Sequence, residues 1–236
     1  MTKLNPRLAV CAGLVKGDVV IDVGTDHGYL PCFLVSEGKC ARAYACDIAE
    51  GPLNSARAHI LESKLESKIA AVLSDGLEKL DDRAAASASD IVIAGMGGEL
   101  IADILARGMA SGKLNKSARL ILQPNTKAPE LRRFLSENGY TTLSETAVRD
   151  GRFIYTVICA EFSGVKAALD ELSAAVGKLD PNDAAAREYL EKEAEKLRTA
   201  ARGMSESSAE ASKKQADAFS SLAANIQNYI ETETSK

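Results

Sequence analysis

The sequence predicts an α/β fold: a mostly parallel sheet with helices on both faces, closed by an antiparallel hairpin and followed by a helical appendage. Three observations carry this expectation. Over the first two-thirds of the chain, short β-branched runs alternate with amphipathic stretches. The runs VVIDV, IVIA and LILQ are apolar almost throughout, as strands covered on both faces are. From Val165 onward the strand signal stops, and Ala, Glu, Lys and Ser take over in helical spacing. The 236 residues are 46% hydrophobic and 26% charged, which excludes disorder as the main state. No apolar run reaches the length of a membrane span, and the N-terminal stretch does not read as a signal peptide, so a cytoplasmic protein is expected.

The elements follow in order. VVIDV (19–23) is a strand leading through a Gly-containing turn into a helix at 30–38. ARAYACDI (41–48) is a second strand and 52–64 a second helix. A third strand spans 68–75 and is followed by an Asp-rich connection. DIVIAGMGG (90–98) runs into a Gly turn and a helix at 99–109. SARLILQPN (117–125) is the fifth strand, before a helix at 128–139 that Gly139 closes at C′. The runs 140–151 and 152–162 flank Asp150-Gly151 and read as a β-hairpin. A dinucleotide-binding domain typically has a sixth parallel strand in that place. By fold-level analogy, a terminal antiparallel pair is how class I methyltransferases finish.

Residues 1–163 are therefore expected to form a Rossmann-like domain, and 164–236 a helical domain of two or three helices in an antiparallel coiled coil. Its apolar sets are Leu169, Leu172, Val176 and Leu179, then Leu190, Ala194, Leu197 and Ala201, then Ala211, Ala218, Leu222, Asn225 or Ile226, and Tyr229. Breaks are expected at Asp180-Pro181 and at Gly203-Met204-Ser205. Such Ala-rich stripes bury little area, so the appendage should be less stable than the core. Five scattered cysteines without a CxxC pair, and only His27 and His59, argue for reduced buried thiols and against a metal site. The net charge of −4 counts mildly against a general nucleic-acid binder. Residues 1–164 alone carry 19 basic and 20 acidic side chains, so an RNA surface must come from arrangement rather than from the sum.

The strongest local signal is VVIDVGTDHGYLP. A strand ends in Asp22, and Gly24 and Gly28 flank a tight turn before a helix N-terminus, where backbone can approach a ligand. Asp47 closes the next strand 19 residues beyond Gly28, the place from which a carboxylate accepts ribose hydroxyls; Ile48 follows it. The loop is not GxGxxG and holds Asp26, which repels a pyrophosphate and tolerates a cationic sulfonium. That charge favours S-adenosylmethionine over a dinucleotide. Asp75, with Gly76, either accepts from an adenine amino group or is an ordinary turn residue. Gly95, Met96, Gly97 and Gly98 end the fourth strand at the ligand edge of the sheet; Met96 borders the cofactor or is simply core, and the glycines leave room for a flat base. Gln123 and Asn125 offer paired donors and acceptors for a base edge. His27 belongs to the cofactor loop, as a hydrogen-bonder or a catalyst. Tyr29 borders the pocket or packs. Candidate RNA contacts are Lys3, Arg7, Lys127, Arg132, Arg133, Arg149 and Arg152, weighed against an ordinary solvated surface.

The set DVGTDHGYLP, GPLNSA, SDGL, IAGMGG and LILQPN, in this order over residues 4–162, resembles the bacterial tRNA (adenine-22-N1)-methyltransferase family. The resemblance implies a class I S-adenosylmethionine-dependent methyltransferase fold with a helical C-terminal extension, S-adenosylmethionine as donor, and adenine N1 in the D-loop region of tRNA as acceptor. The family usually has Glu where this chain has Asp47; both bind ribose. The Asn-Pro-Pro-aromatic motif of many amino-methyltransferases is missing, which fits a ring nitrogen as target. Neutral N1 already carries a lone pair and needs no base, while the product is cationic, so a carboxylate is wanted nearby. Asp26 is the expected one. The other readings are a methyltransferase acting on a small molecule or protein, which would work without RNA, and a non-catalytic nucleotide-binding interaction protein.

Overall fold

The computed structural model describes residues 3–205 and 209–234. Among the described residues, seven strands form one sheet in the order β3-β2-β1-β4-β5-β7-β6. They are β1 (Val19–Val23), β2 (Arg42–Asp47), β3 (Ile69–Leu73), β4 (Asp90–Gly97), β5 (Arg119–Thr126), β6 (Tyr140–Asp150) and β7 (Phe153–Phe162). β1 to β5 pair in parallel, while β7 is antiparallel to both β5 and β6. This is the expected five-plus-hairpin sheet. Asp150 pairs with Phe153, so the hairpin turns on Gly151-Arg152, with positive φ at Gly151 (60°) as a II′-type turn requires.

Alternate side chains of the central strands enter different cores. Val20, Val92 and Ile121 join one with α1 (Pro6–Leu14), α2 (Tyr29–Ser36) and α3 (Glu50–Glu62). Ile21, Ile91, Ile93, Leu120 and Leu122 join the other with α4 (Asp82–Ser87), α5 (Gly98–Ala110) and α6 (Ala128–Glu137). Burial on both faces is why these strands read as unbroken apolar runs. The helices α1 and α4 are additions to the sequence reading. Both begin at a side-chain cap, Asn5 accepting from the Leu8 N–H and Asp81 from the Ala84 N–H. All five cysteines are buried and free, and burial pushes the Cys11 thiol up to about 12.

The helical segment comprises α7 (Glu171–Val176), α8 (Ala184–Ser205) and α9 (Glu210–Thr234). α8 and α9 run antiparallel, since Asn182 before α8 donates to the Glu233 carbonyl near the end of α9. Three details differ from expectation. α8 continues through Gly203 and Met204 and ends at Ser205, the last residue of the expected break. Leu169 lies outside the helix. The buried stripe of α9 is Ala216, Ala223, Ile226 and Ile230, with Leu222 and Tyr229 only partly covered. The segment also shares its core with the hairpin, through Ala147 and Ile154.

A buried ion pair seals that junction. Arg132 of α6, 3% exposed, meets Glu145 of β6 at 2.5 Å. Its Nη1 also donates to the carbonyls of Ala174 and Ala175 at the end of α7, at 2.7 and 2.9 Å. Thr156 Oγ1 and the Lys178 N–H donate to Glu145. Arg132 is therefore no RNA contact; its guanidinium is consumed inside the protein. Removing the helical segment would expose this network, so such a truncation perturbs the α/β domain as well.

Glu145→Ala leaves a buried guanidinium without its counter-charge. Chemical denaturation is expected to show a loss of about 3–5 kcal/mol, the usual cost of breaking a buried pair on one side. A loss under about 1 kcal/mol, the scale of an exposed pair, would contradict the structural role.

Candidate active site

The C-terminal ends of β1, β2, β4 and β5 lie along one edge of the sheet, because parallel strands end together. Beside them is a cleft of about 360 Å3. Asp22 at the end of β1, Gly24, Thr25 and Asp26 in the loop after it and Tyr29 at the start of α2 line it on one side, Gly95 and Asn125 line it from β4 and β5, and Asn5, Arg7 and Leu8 from the cap and first turn of α1. The loop after β1 needs the αL region at Gly24 (φ 75°), Asp26 (φ 52°) and Gly28 (φ 68°). Asp tolerates that region better than most side chains. A Cβ on Gly24 would strike the Met96 methyl, so Met96 packs over the loop rather than facing open space.

Three carboxylates converge here. Asp22 is buried and accepts from Thr25 Oγ1 at 2.7 Å. Loss of solvent is the main cause that pushes it up to about 6; the Thr25 hydrogen bond lowers it and Asp47 raises it. Asp47 accepts from the Asp26 N–H (3.1 Å) and the Ala49 N–H (3.0 Å), which locks its carboxylate at the end of β2. Beside it, Ile48 is 67% exposed, and so is much of Leu73, the residue paired with Asp47 on β3. An acid beside an open apolar surface suits a nucleoside, the acid taking hydroxyls and the surface a base. The Asp26 side chain is 68% exposed at the cleft.

Arg7 forms the opposite wall. Its Nη1 donates to Gln123 Oε1 (2.8 Å) and Asn125 Oδ1 (3.1 Å), its Nε donates to Asp150 (2.8 Å), and it lies 4.8 Å over the Tyr155 ring. The Gly95 N–H also donates to Gln123 Oε1, and Gln123 Nε2 donates to the Pro124 carbonyl and to Asn125 Oδ1. Asn125 Nδ2 donates to the Gly95 carbonyl at 2.6 Å.

These contacts revise several expectations. Gln123 is fully buried with both amide ends used, so it cannot read a base edge; it braces β4 against β5. Asn125 keeps one N–H for the cleft. Gly98 leaves no room for a base, since a Cβ there would strike the Lys127 carbonyl, and the Gly97 Cβ position faces Thr126. Gly76 faces Ile104 of α5 in the same way. Asp75 accepts from Arg107 at 3.0 Å, and Arg107 also pairs with Glu78 and Asp103. Arg133 lies on α6, paired with Glu171 at 2.8 Å and away from the cleft. Arg149 is paired with Glu188, and Lys127 with Glu130. Arg152 sits at the hairpin turn over the Phe153 ring. His27 is half exposed, with Nε2 3.6 Å from Asp26, and does not line the cleft. Sequence reasoning named Arg7 only as a candidate RNA contact and missed the wall that α1 builds. The signal was Asn5-Pro6, a helix cap followed by proline at N1.

A parallel sheet closed by an antiparallel β7, with an acid at the end of β2 and a glycine loop after β1, defines a class I methyltransferase fold. The family model TrmK, tRNA (adenine(22)-N(1))-methyltransferase, matches residues 20–226. The chain belongs to this family. It is 39% identical over 178 residues to the tRNA (adenine(22)-N(1))-methyltransferase of Bacillus subtilis (strain 168), covering 75% of this chain and 73% of that protein. The crystal structure of the B. subtilis m1A22 tRNA methyltransferase TrmK superposes with a TM-score of 0.86 at 29% identity, over 98% of this chain and 100% of that one. Streptococcus pneumoniae Sp1610, a putative tRNA (m1A22) methyltransferase in complex with S-adenosyl-L-methionine, gives a TM-score of 0.80 at 31% identity, over 93% and 97% of the two chains.

Arg7→Ala unties α1 from β5 and the hairpin at once. Turnover is expected to fall on the order of tenfold or more, because small misplacements in a site are costly. Hydrogen exchange should rise in 5–14 while the five-stranded core keeps its protection. Wild-type turnover in this variant would remove Arg7 from the site.

Proposed function

We propose that this chain methylates N1 of adenine 22 in tRNA with S-adenosylmethionine, and that the acid-lined cleft is where it does so. The observation that carries the reading is the acid character of the cleft: Asp22 and Asp26 line it, Asp47 accepts from the Asp26 N–H, and Arg7, the one cation in the lining among the described residues, is paired with Asp150. Such a cleft favours cations and disfavours phosphates. The residues fit the cofactor: Asp47 for the ribose hydroxyls, Ile48 for the adenine, and buried Asp22 for the ammonium of the amino-acid tail. When bound, S-adenosylmethionine supplies a methyl group on a cationic sulfur.

The chain's own residues do the rest. The hydrogen-bonded set of Arg7, Gln123, Asn125 and Gly95 holds the cleft wall rigid, so the target base meets a preformed surface. Asn125 has one N–H for the base. Asp26 faces the cleft as an anion; it accepts from the adenine amino group and stabilises the positive charge that grows on the ring. No group has to remove a proton before attack. A paired or stacked adenine must be swung out to enter. On this reading, Arg152 at the hairpin turn and the helical segment hold the tRNA body. The setting is cytoplasmic, where tRNA resides; among the described residues no helix is long and apolar enough to cross a membrane.

The direct test is methylation of unmodified bulk tRNA with labelled cofactor, followed by mapping of the modified nucleotide. Label at N1 of adenine 22 is expected. Label in a protein or small molecule without RNA would replace this reading. Asp26→Ala is expected to lower turnover on the order of 100-fold or more, the scale of losing one preorganised electrostatic contact, while cofactor still binds. Full activity would refute its role.

Asp22 makes cofactor affinity depend on pH. Burial raises its folded-state pKa to about 6 from an unfolded value of 3.8, so its carboxylate is charged only above about pH 6. Affinity should weaken about tenfold per pH unit below that point, a slope that Asp22→Asn abolishes. The opposite sign holds for the ligand-free fold. The proton stabilises it below pH 3.8 and is lost as pH rises through about 6. Asp22→Asn should therefore stabilise the apo protein at pH 7.5, by roughly 1–3 kcal/mol, while weakening cofactor. Titration calorimetry and denaturation at pH 5 to 7.5 read both effects.

A further inference from the structure

Tyr29 opens α2 directly after the αL residue Gly28, so its ring stands at the mouth of the cleft it helps to line. It is 45% exposed. Its centroid lies 5.3 Å from that of His27 with 28° between the planes, and 5.1 Å from that of His59, which meets it edge-on from α3. The His59 Nδ1 is 3.1 Å from the His27 carbonyl oxygen, which ties α3 to the loop. Two elements thus hold three rings in one short cluster, with 48% of the His27 side chain open to water and its Nε2 beside Asp26. Nothing in the mechanism above uses these rings. A solvated, rigid group of planar side chains next to a nucleic-acid cleft is a stacking platform by its chemistry.

We infer that His27, Tyr29 and His59 form a shelf on which a nucleobase adjacent to the target adenine stacks. The inference rests on the tRNA reading and adds a second contact to it. Two physical arguments favour a base over other occupants. The cleft that Tyr29 lines also carries Asp22 and Asp26, with Asp47 bonded to the Asp26 N–H; these carboxylates repel phosphates, so RNA cannot be anchored there by its backbone, whereas stacking has no such requirement. In addition, swinging an adenine out of its stack leaves the neighbouring base with an uncovered face, and an aromatic ring restores the contact. On that reading the purine of the cofactor is served by Ile48, just past the end of β2, and its ribose by Asp47, so the shelf is not needed for it.

The test is a double-mutant cycle between protein and RNA, using the full-length enzyme. Wild type and Tyr29→Ala are assayed on tRNA carrying the target adenine with either an intact or an abasic neighbour, on its 5′ side or its 3′ side. Wild type is expected to lose on the order of tenfold in kcat/KM on one of the two abasic tRNAs, and Tyr29→Ala a similar factor on intact tRNA, with little further loss when the two are combined. Tyr29→Phe and His27→Phe keep a planar ring and should restore activity to within about threefold of wild type. Cofactor affinity should be unchanged in all four proteins. Undiminished methylation of both abasic tRNAs by wild type overturns the shelf, as does a fully additive loss in the cycle. Failure of wild type to methylate intact tRNA at adenine 22 would instead overturn the underlying reading.

Discussion

The guanidinium of Arg7 is the point on which the site depends. It joins α1 to the ends of β4 and β5 through Gln123 and Asn125, and to the hairpin through Asp150 and Tyr155. Each of these contacts spans more than 100 residues of chain. Without it, Gln123 and Asn125 would keep only their bonds to Gly95, Pro124 and each other, and the N-terminal helix would lose its polar tie to the sheet edge. The same cation balances a cleft that is otherwise acidic. Its charge is met by Asp150, so the field in the cleft is set by Asp22 and Asp26, with Asp47 bonded to the Asp26 N–H.

Stability and function pull apart at Asp22. A carboxylate buried beside Thr25 costs folding free energy while charged, yet it is the charged form that a cationic ligand needs. At Arg132 and Glu145 the two demands agree. That pair is saturated by the α7 carbonyls and Thr156, and it joins the helical segment to the α/β domain. The helical residues and the hairpin bury one another, so the helices move with the α/β domain rather than apart from it.

Much of this was legible in the sequence, and the exceptions share a cause. The parallel strands could be read because burial on both faces leaves long apolar runs, and the hairpin because of Asp150-Gly151. The loop from Asp22 to Gly28 and the acid at position 47 could be read because their spacing is imposed by local geometry. The misreadings concern polar residues whose partners lie far away in sequence. Gln123 looked like a base reader and is saturated inside the protein; Arg132 looked like a surface cation and is buried. Gly98 looked like space for a ligand and is space for the Lys127 carbonyl. The register of α9 was misjudged because Ala-rich stripes offer several nearly equivalent faces.

The central claim is that the cleft is preformed, with Asp47 and Ile48 receiving the nucleoside of the cofactor and Asp22 its amino group. A crystal structure of the protein with S-adenosylhomocysteine tests it most directly. The account predicts the ribose hydroxyls within hydrogen-bond distance of Asp47, the purine over Ile48, the ammonium facing Asp22, and Arg7 still bonded to Gln123 and Asn125. A ligand bound elsewhere, or an Arg7 that has left both amides, would contradict it.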